Sequence, residues 1–253
     1  MLYCEDKKIR MRLLQKGLFR IFFTERSDGN MAMYAGEGRE NARGYREEAF
    51  LSLGAPLEHA VFMRQVHGSH IEQVGTGDGG RGAVAVETAL AETDGLVSDA
   101  SGIALLTQVA DCAPVILMDG EAGAFGVLHS GWRGTAKRIA VKGVDIMRSS
   151  FGSRAKDISV WIGPAACGKC FEVGEDVFAS FEKNDLDAGL LNREGKYFLD
   201  VRAIVAGQLK RSGVPEKNIA VSAHCTMEEG NRFFSYRREG ECAGRMAVGV
   251  WKA

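Results

Sequence analysis

A cysteine and two histidines stand where the chain passes from apolar segments into turns: His67, Cys112 and His129. One thiolate and two imidazoles make a sound ligand set for zinc and leave a fourth position for water or substrate. Zinc bound there lowers the pKa of a water toward neutrality, which makes a nucleophile at physiological pH. The three are far apart in sequence, so residue types alone do not bring them together. The plainer reading keeps Cys112 as a buried thiol and each histidine as a hydrogen-bonded core or surface residue. Asp111 precedes Cys112, and in an extended chain their side chains point to opposite faces; a turn would change this.

A second element follows His129. Residues 131–135, Gly-Trp-Arg-Gly-Thr, lead toward a helix whose free N–H groups favour an anion, and Arg133 could add a bidentate hold on phosphate or carboxylate. The alternative packs Trp132 over the core and pairs Arg133 with a surface carboxylate. His70 and Glu72 match H-x-E, and Cys167 with Cys170 matches C-x-x-C, the parts of a zinc base deaminase. That signature wants proline directly before the first cysteine, whereas Pro164 comes three residues earlier. The context for a thioredoxin-like redox pair is missing too, so one of these cysteines is expected to line the pocket and the other to be structural. Near the end, Phe233, Phe234, Tyr236, Arg237 and Arg238 could stack a base and steer an anion, or could form a core strand with solvated arginines.

The elements that must position these groups read as follows. Strands are predicted over 18–24, 61–66, 70–74, 103–107, 114–118, 124–128, 158–162, 219–223, 233–236 and 246–251, while 94–97 reads as a short segment before a turn at 98–102. A bend or bulge is expected at Gly68. The runs at 103–107, 114–118 and 124–128 are apolar throughout, as suits strands covered on both faces, with Pro114 at a strand start. Helices are predicted over 43–53, over 136–149 with Thr135 as N-cap, over 174–181, and after Asp200, closed by Gly213 and Pro215. Residues 25–38 and 184–192 read as loop and surface connection, and the glycine-rich 75–82 as a flexible turn. Strands outnumber helices and several are consecutive. This points to an α/β (α+β) layered sandwich with mixed sheets, one domain over 1–253, with 1–17 as an N-terminal extension or edge segment.

Charge excludes some partners. With 32 basic and 33 acidic residues and no basic run, no nucleic-acid footprint is expected. No apolar stretch approaches the roughly 20 residues that cross a bilayer, and the start lacks an export signal. Six cysteines in a chain of this size are therefore expected to be reduced thiols in a cytoplasmic protein, a monomer or small homo-oligomer.

The chain resembles the YfiH-like laccase-domain family, once described as multicopper polyphenol oxidases. The matching blocks are QVHG (65–68), TDGLVS (93–98), ADCAPVIL (110–117), HSGWRGT (129–135), IGPAACGKCFEVG (162–174), LDVR (199–202), CT (225–226) and FFSYRREG (233–240). The resemblance implies a single-domain layered α/β fold and a zinc-capable pocket made by His67, Cys112 and His129. It further implies phosphorolysis of adenosine, inosine, guanosine and methylthioadenosine with inorganic phosphate, with adenosine deamination as a further activity. Arg133 would then bind phosphate, while Cys170 and Arg237 would border the pocket. The segment 27–36 departs from the family's usual glycine/serine loop.

Two rival activities stay open. A copper-dependent polyphenol oxidase, the family's old label, would have to work from one copper site. The chain has only 5 histidines and lacks the paired H-x-H segments of a conventional laccase. A cysteine or zinc hydrolase in peptidoglycan-precursor quality control would use Cys112 as nucleophile with a histidine as base.

Overall fold

The computed structural model describes residues 12–182 and 189–252. In chain order the strands are β1 (Arg12–Lys16), β2 (Phe19–Phe23), β3 (Ala60–Phe62), β4 (Ile71–Gln73), β5 (Gly95–Ser98), β6 (Ile103–Val109) and β7 (Ala113–Asp119). They continue with β8 (Ala124–Ser130), β9 (Ser159–Ile162), β10 (Glu172–Val173), β11 (Leu190–Arg193), β12 (Lys196–Leu199), β13 (Ile219–Val221) and β14 (Met246–Lys252). The helices are α1 (Ala42–Leu53), α2 (Trp132–Ala136), α3 (Ile139–Phe151), α4 (Glu175–Glu182), α5 (Val201–Arg211) and α6 (Tyr236–Glu239).

Two mixed sheets pack face to face. One runs β1-β2-β14-β6-β3 and the other β13-β9-β7-β8-β5-β4. Each is antiparallel at its centre and parallel only at outer pairs, β3 with β6, β4 with β5 and β13 with β9. The period of two along each strand divides the side chains between layers. In β6, Ile103, Leu105 and Val109 enter the core between the sheets, while Ala104 and Leu106 face the layer that holds Ala49, Phe50 and Leu53 of α1. In β8, Phe125 and Val127 face the inter-sheet core, and Ala124 and Leu128 pack with Ile139, Val144, Ile204 and Val205 of α3 and α5. The order of layers is thus helix, sheet, sheet, helix. The small β10-β12-β11 sheet flanks this body beside α4.

All positions of β6, β7 and β8 are buried, as their apolar runs require. They do not share one sheet, however. β7 and β8 pair with each other, whereas β6 pairs with β14 and β3. Residues 110–112 therefore cross from one sheet to the other, turning at Asp111 with φ +86°. Among the described residues, no helix is long and apolar enough to cross a membrane.

Four expectations change. The predicted helix over 136–149 is two helices: α2 starts after Gly131, and Arg138, in the left-handed region at φ 59°, separates it from α3. Thr135 therefore lies inside α2, where its hydroxyl donates to the Gly131 carbonyl. Residues 233–236 are not a strand. Ser235 caps α6 by accepting from the Arg238 N–H, and the Arg238 guanidinium ties the segment down through the carbonyls of Thr226, Met227 and Phe233. The predicted strand over 61–66 ends at Phe62; the bend expected at Gly68 is present and takes in His67, which lies in the left-handed region (φ 57°). Of the connection over 184–192, residues 184–188 lie outside the described residues, and the rest enters β11. The Asp200 cap of α5 is as expected, accepting from the N–H groups of Arg202 and Ala203.

Candidate active site and metal centre

β8 carries His129 in phase with Phe125 and Val127, so its ring turns to the inter-sheet side where the apolar core gives out. The sheet crossover brings Cys112 beside it, and the turn after Arg64 brings His67. One ligand atom from each of the three lies within 4.8 Å of the others. The two imidazole rings meet edge to face with centroids 4.8 Å apart. Gly131 clears the space: a Cβ there would stand 3.0 Å from Cys112 Sγ and 3.2 Å from His67 Cδ2.

Asp94, fully buried at the head of β5, organises this cluster. Its carboxylate accepts from the backbone N–H groups of Val66, His67 and Gly68 at 3.2, 3.0 and 2.7 Å. These bonds hold the left-handed turn that presents the His67 ring. The same carboxylate stands 2.8 Å from His129 Nδ1. Burial works against ionisation of Asp94, but the bonds from His129, Gly68 and Val66 prevail and keep its carboxyl below the usual range. An ionised carboxylate only accepts, so His129 Nδ1 carries the proton and Nε2 is left for the cluster. A carboxylate behind a histidine is the usual outer support of a metal-binding imidazole.

The thiol responds to its neighbours. Burial alone would push Cys112 up, but His129 and His67 together bring it down to about 6. Burial likewise opposes a charged His129, yet Cys112 and Asp94 hold its pKa up to about 9. Without metal, the pair is thiolate and imidazolium near neutral pH. A borderline dication meets here one thiolate and two imidazoles with a supporting carboxylate, and the donor set fits a single zinc or copper ion.

The cluster opens into a cleft of about 530 Å³ lined also by Tyr34, Gln65, Gln108, Arg133, Arg237 and Arg245. That is the size of a small-ligand site. Gln65 fixes the approach to His67 by pairing its side-chain amide with the backbone of Gln108 in both directions, 2.8 Å each. The Arg133 guanidinium lies 4.2 Å from the Trp132 ring centroid, and that of Arg237 lies 4.8 Å from Phe171. Asp111 is a clasp: its carboxylate accepts from Thr226 Oγ1, Ser235 Oγ and the Arg237 N–H at 2.7, 3.0 and 2.8 Å. The anion site expected from a long helix loses most of its dipole, since α2 has five residues, and the arginines carry that role instead.

The sequence-derived His67, Cys112, His129, Arg133 and Arg237 thus meet in one cleft. Cys170 does not line it; the next residue, Phe171, does. Asp94, Gln65, Tyr34 and Arg245 were not singled out as site residues. Asp94 carried a signal, a carboxylate leading into a buried strand, which must find partners. Tyr34 comes from the divergent 27–36 segment, so that segment shapes the cleft wall.

Residues 21–253 match the family described as multi-copper polyphenol oxidoreductase laccase. The purine nucleoside phosphorylase YlmD of Geobacillus stearothermophilus is 37% identical over 221 residues, covering 86% of this chain and 81% of that protein. The adenosine deaminase RL5 of an unknown prokaryotic organism is 35% identical over 227 residues, 88% and 86% of the two chains. The crystal structure of Geobacillus stearothermophilus YlmD has a TM-score of 0.93 at 30% identity, covering 99% of this chain and 98% of its own. That of the Bacillus licheniformis hypothetical protein YfiH scores 0.92 at 31% identity, covering 97% of each. The family match covers nearly the whole chain, and the chain belongs to the multi-copper polyphenol oxidoreductase laccase family.

Proposed function

We propose that this cleft binds a purine nucleoside with inorganic phosphate and cleaves the N-glycosidic bond to free base and ribose-1-phosphate, with adenosine deamination as a second activity. The observation that carries this reading is the meeting of the Cys112–His67–His129 cluster with the guanidinium groups of Arg133, Arg237 and Arg245 in a single cleft. The relatives named purine nucleoside phosphorylase and adenosine deaminase support the same substrate class.

Phosphorolysis needs an anion held against C1′ while positive charge grows on the sugar. Arg133 and Arg237, braced on Trp132 and Phe171, are suited to orient a phosphate by bidentate bonds. The rings of Trp132, Phe171 and Tyr236 offer faces on which a purine can stack. A phosphate oxygen bonds to C1′ as the C1′–N9 bond breaks, and its electron pair leaves with the purine. When it is not ligating a metal, His67, the exposed member of the cluster, delivers the proton that the departing base requires. Asp94 keeps both histidines in place throughout.

His67, Cys112 and His129 would hold one zinc ion, which when bound supplies Lewis acidity and a water of lowered pKa for the deamination. Copper is the other metal these donors accept. A multi-copper arrangement has little to build on, because only two of the chain's 5 histidines reach the cluster. His70 pairs with Glu72 and His224 with Glu229.

The test is a product assay with adenosine, with and without phosphate, on native protein and Cys112→Ala. Adenine and ribose-1-phosphate formed only with phosphate are expected, together with inosine formed in its absence by native protein alone. Unchanged adenosine under both conditions overturns the reading.

A further inference from the structure

A second sulfur cluster lies outside the cleft. Cys167, Cys170 and Cys225 each place Sγ, and Glu228 a carboxylate oxygen, within 4.8 Å of one another. We propose that these four residues bind a structural zinc ion, distinct from the His67–Cys112–His129 centre.

The local backbone is shaped for it. The N–H groups of Cys170 and Phe171 both donate to the Cys167 carbonyl at 2.9 Å, a tight knuckle that turns two thiols the same way. Gly168 lets the knuckle seat against the body: a Cβ there would lie 2.9 Å from Asp200 Cβ and Leu191 Cδ1. A bridge between Ala165 and Cys225, with the Thr226 N–H donating to the Ala165 carbonyl at 3.2 Å, aligns the partner loop. The Cys167 N–H points to Cys225 Sγ at 3.4 Å.

The distances suit an ion. The Sγ atoms of Cys167 and Cys170 are 3.6 Å apart. A tetrahedral zinc with Zn–S bonds of about 2.3 Å sets sulfurs about 3.8 Å apart, whereas a disulfide needs about 2.05 Å. Glu228 Oε2 stands 3.9 Å from Cys167 Sγ. Thiolates favour zinc, Cu(I) or iron–sulfur clusters, and a hard carboxylate as fourth donor selects zinc among them. Four protein ligands close the shell, which is the mark of a structural site.

Its place explains its use. The knuckle leads straight into Phe171, which supports Arg237, and Cys225 leads into Thr226, which bonds Asp111. An ion here pins the loop that gives the cleft Phe171 to the loop whose Thr226 holds Asp111.

The experiment uses the full chain carrying Cys112→Ala, which removes a ligand of the first centre. After purification and dialysis against a mild chelator, elemental analysis should find about one zinc per chain. Adding Cys167→Ser and Cys170→Ser should cut that at least tenfold. Cobalt(II) added to metal-stripped Cys112→Ala should give intense thiolate-to-cobalt bands and a tetrahedral visible spectrum. Should the serine variant not fold, alkylation of metal-stripped Cys112→Ala with and without added zinc decides alone. Protection of Cys167, Cys170 and Cys225, read by peptide mass, is the expected result. Zinc-independent alkylation, or a Cys167–Cys170 disulfide in metal-free purified protein, overturns the proposal.

Discussion

Cys112 sits between two imidazoles and Cys170 among other sulfurs, and the same functional group is driven in opposite directions. At the first cluster burial is outweighed by His129 and His67, and the thiol falls to about 6. At the second, burial and the neighbouring thiols Cys167 and Cys225 act together and push Cys170 up to about 12. One cluster carries its own compensating cation and opens into a cleft with three arginines. The other has a backbone knuckle, a nearby carboxylate and no share in the cleft lining. A thiol prepared for exchange and chemistry differs from one prepared for closure mainly in what stands beside it, not in how deeply it is buried.

The largest expected contrast comes from removing one sulfur at each cluster. Cys112→Ala should lower deamination by about 10³-fold or more, roughly 4 kcal/mol of barrier, with little change in melting temperature. Cys167→Ser should leave kcat for deamination within about threefold and lower Tm by about 5 °C. Steady-state inosine formation and a thermal scan on each variant check both halves. Equal losses of activity in the two variants would end the distinction between a working and a structural cluster.

Asp94→Asn comes next. The amide fits the same space but cannot accept as a carboxylate does from His129 and the three N–H groups of the 66–68 turn. Loss of such an outer partner usually costs about 10–100-fold in metal affinity or activity. Zinc titration against a competing chelator should show that loss in a folded protein. An unchanged affinity would mean that His129 is oriented by its strand alone.

Parts of this comparison were legible in the sequence. Unbroken apolar runs located β6, β7 and β8, because strands covered on both faces have no polar side to alternate with. The Asp200 cap and Gly213 located α5 for reasons equally local. His67, Cys112 and His129 had the right chemistry, but only the family motifs suggested that they meet, since a sheet crossover and a left-handed turn bring them together. Nothing in residues 136–149 marks Arg138 as a break; it is neither glycine nor proline. Phe233 and Phe234 looked like a strand because they are buried, yet their backbone is held by Arg238 instead of a ladder. The knuckle cysteines were visible as C-x-x-C, but their third thiol is 55 or more residues away (Cys225 against Cys170) and joins only through the Ala165–Cys225 bridge.

A smaller effect is expected at the cleft's anion side. Arg133→Ala should raise the phosphate KM about tenfold, the order of one charge-assisted bond of about 1.5–3 kcal/mol, and leave the adenosine KM near its native value. Phosphate-dependent kinetics measure both. A rise in the adenosine KM alone would move Arg133 from the phosphate to the nucleoside.

The subtlest test returns to the thiols themselves. In metal-stripped protein, alkylation of Cys112 should rise with pH through a midpoint near 6 and then level off, because the proton is lost on passing that pKa. Below the midpoint the neutral thiol is slow; above it, further base adds no thiolate. Cys170, pushed up to about 12, should still be gaining reactivity at the alkaline end of the scan. The rates at pH 7.5 will separate the two sites less than their thiolate fractions do, since a low-pKa thiolate is also the weaker nucleophile, with a Brønsted slope of about 0.4–0.5. The midpoint is therefore the quantity to read, by peptide mapping across a pH series. A Cys112 midpoint at the ordinary thiol value of about 8.5 would mean that its imidazoles leave the thiolate unstabilised, and the contrast between the clusters would reduce to the upward push on Cys170.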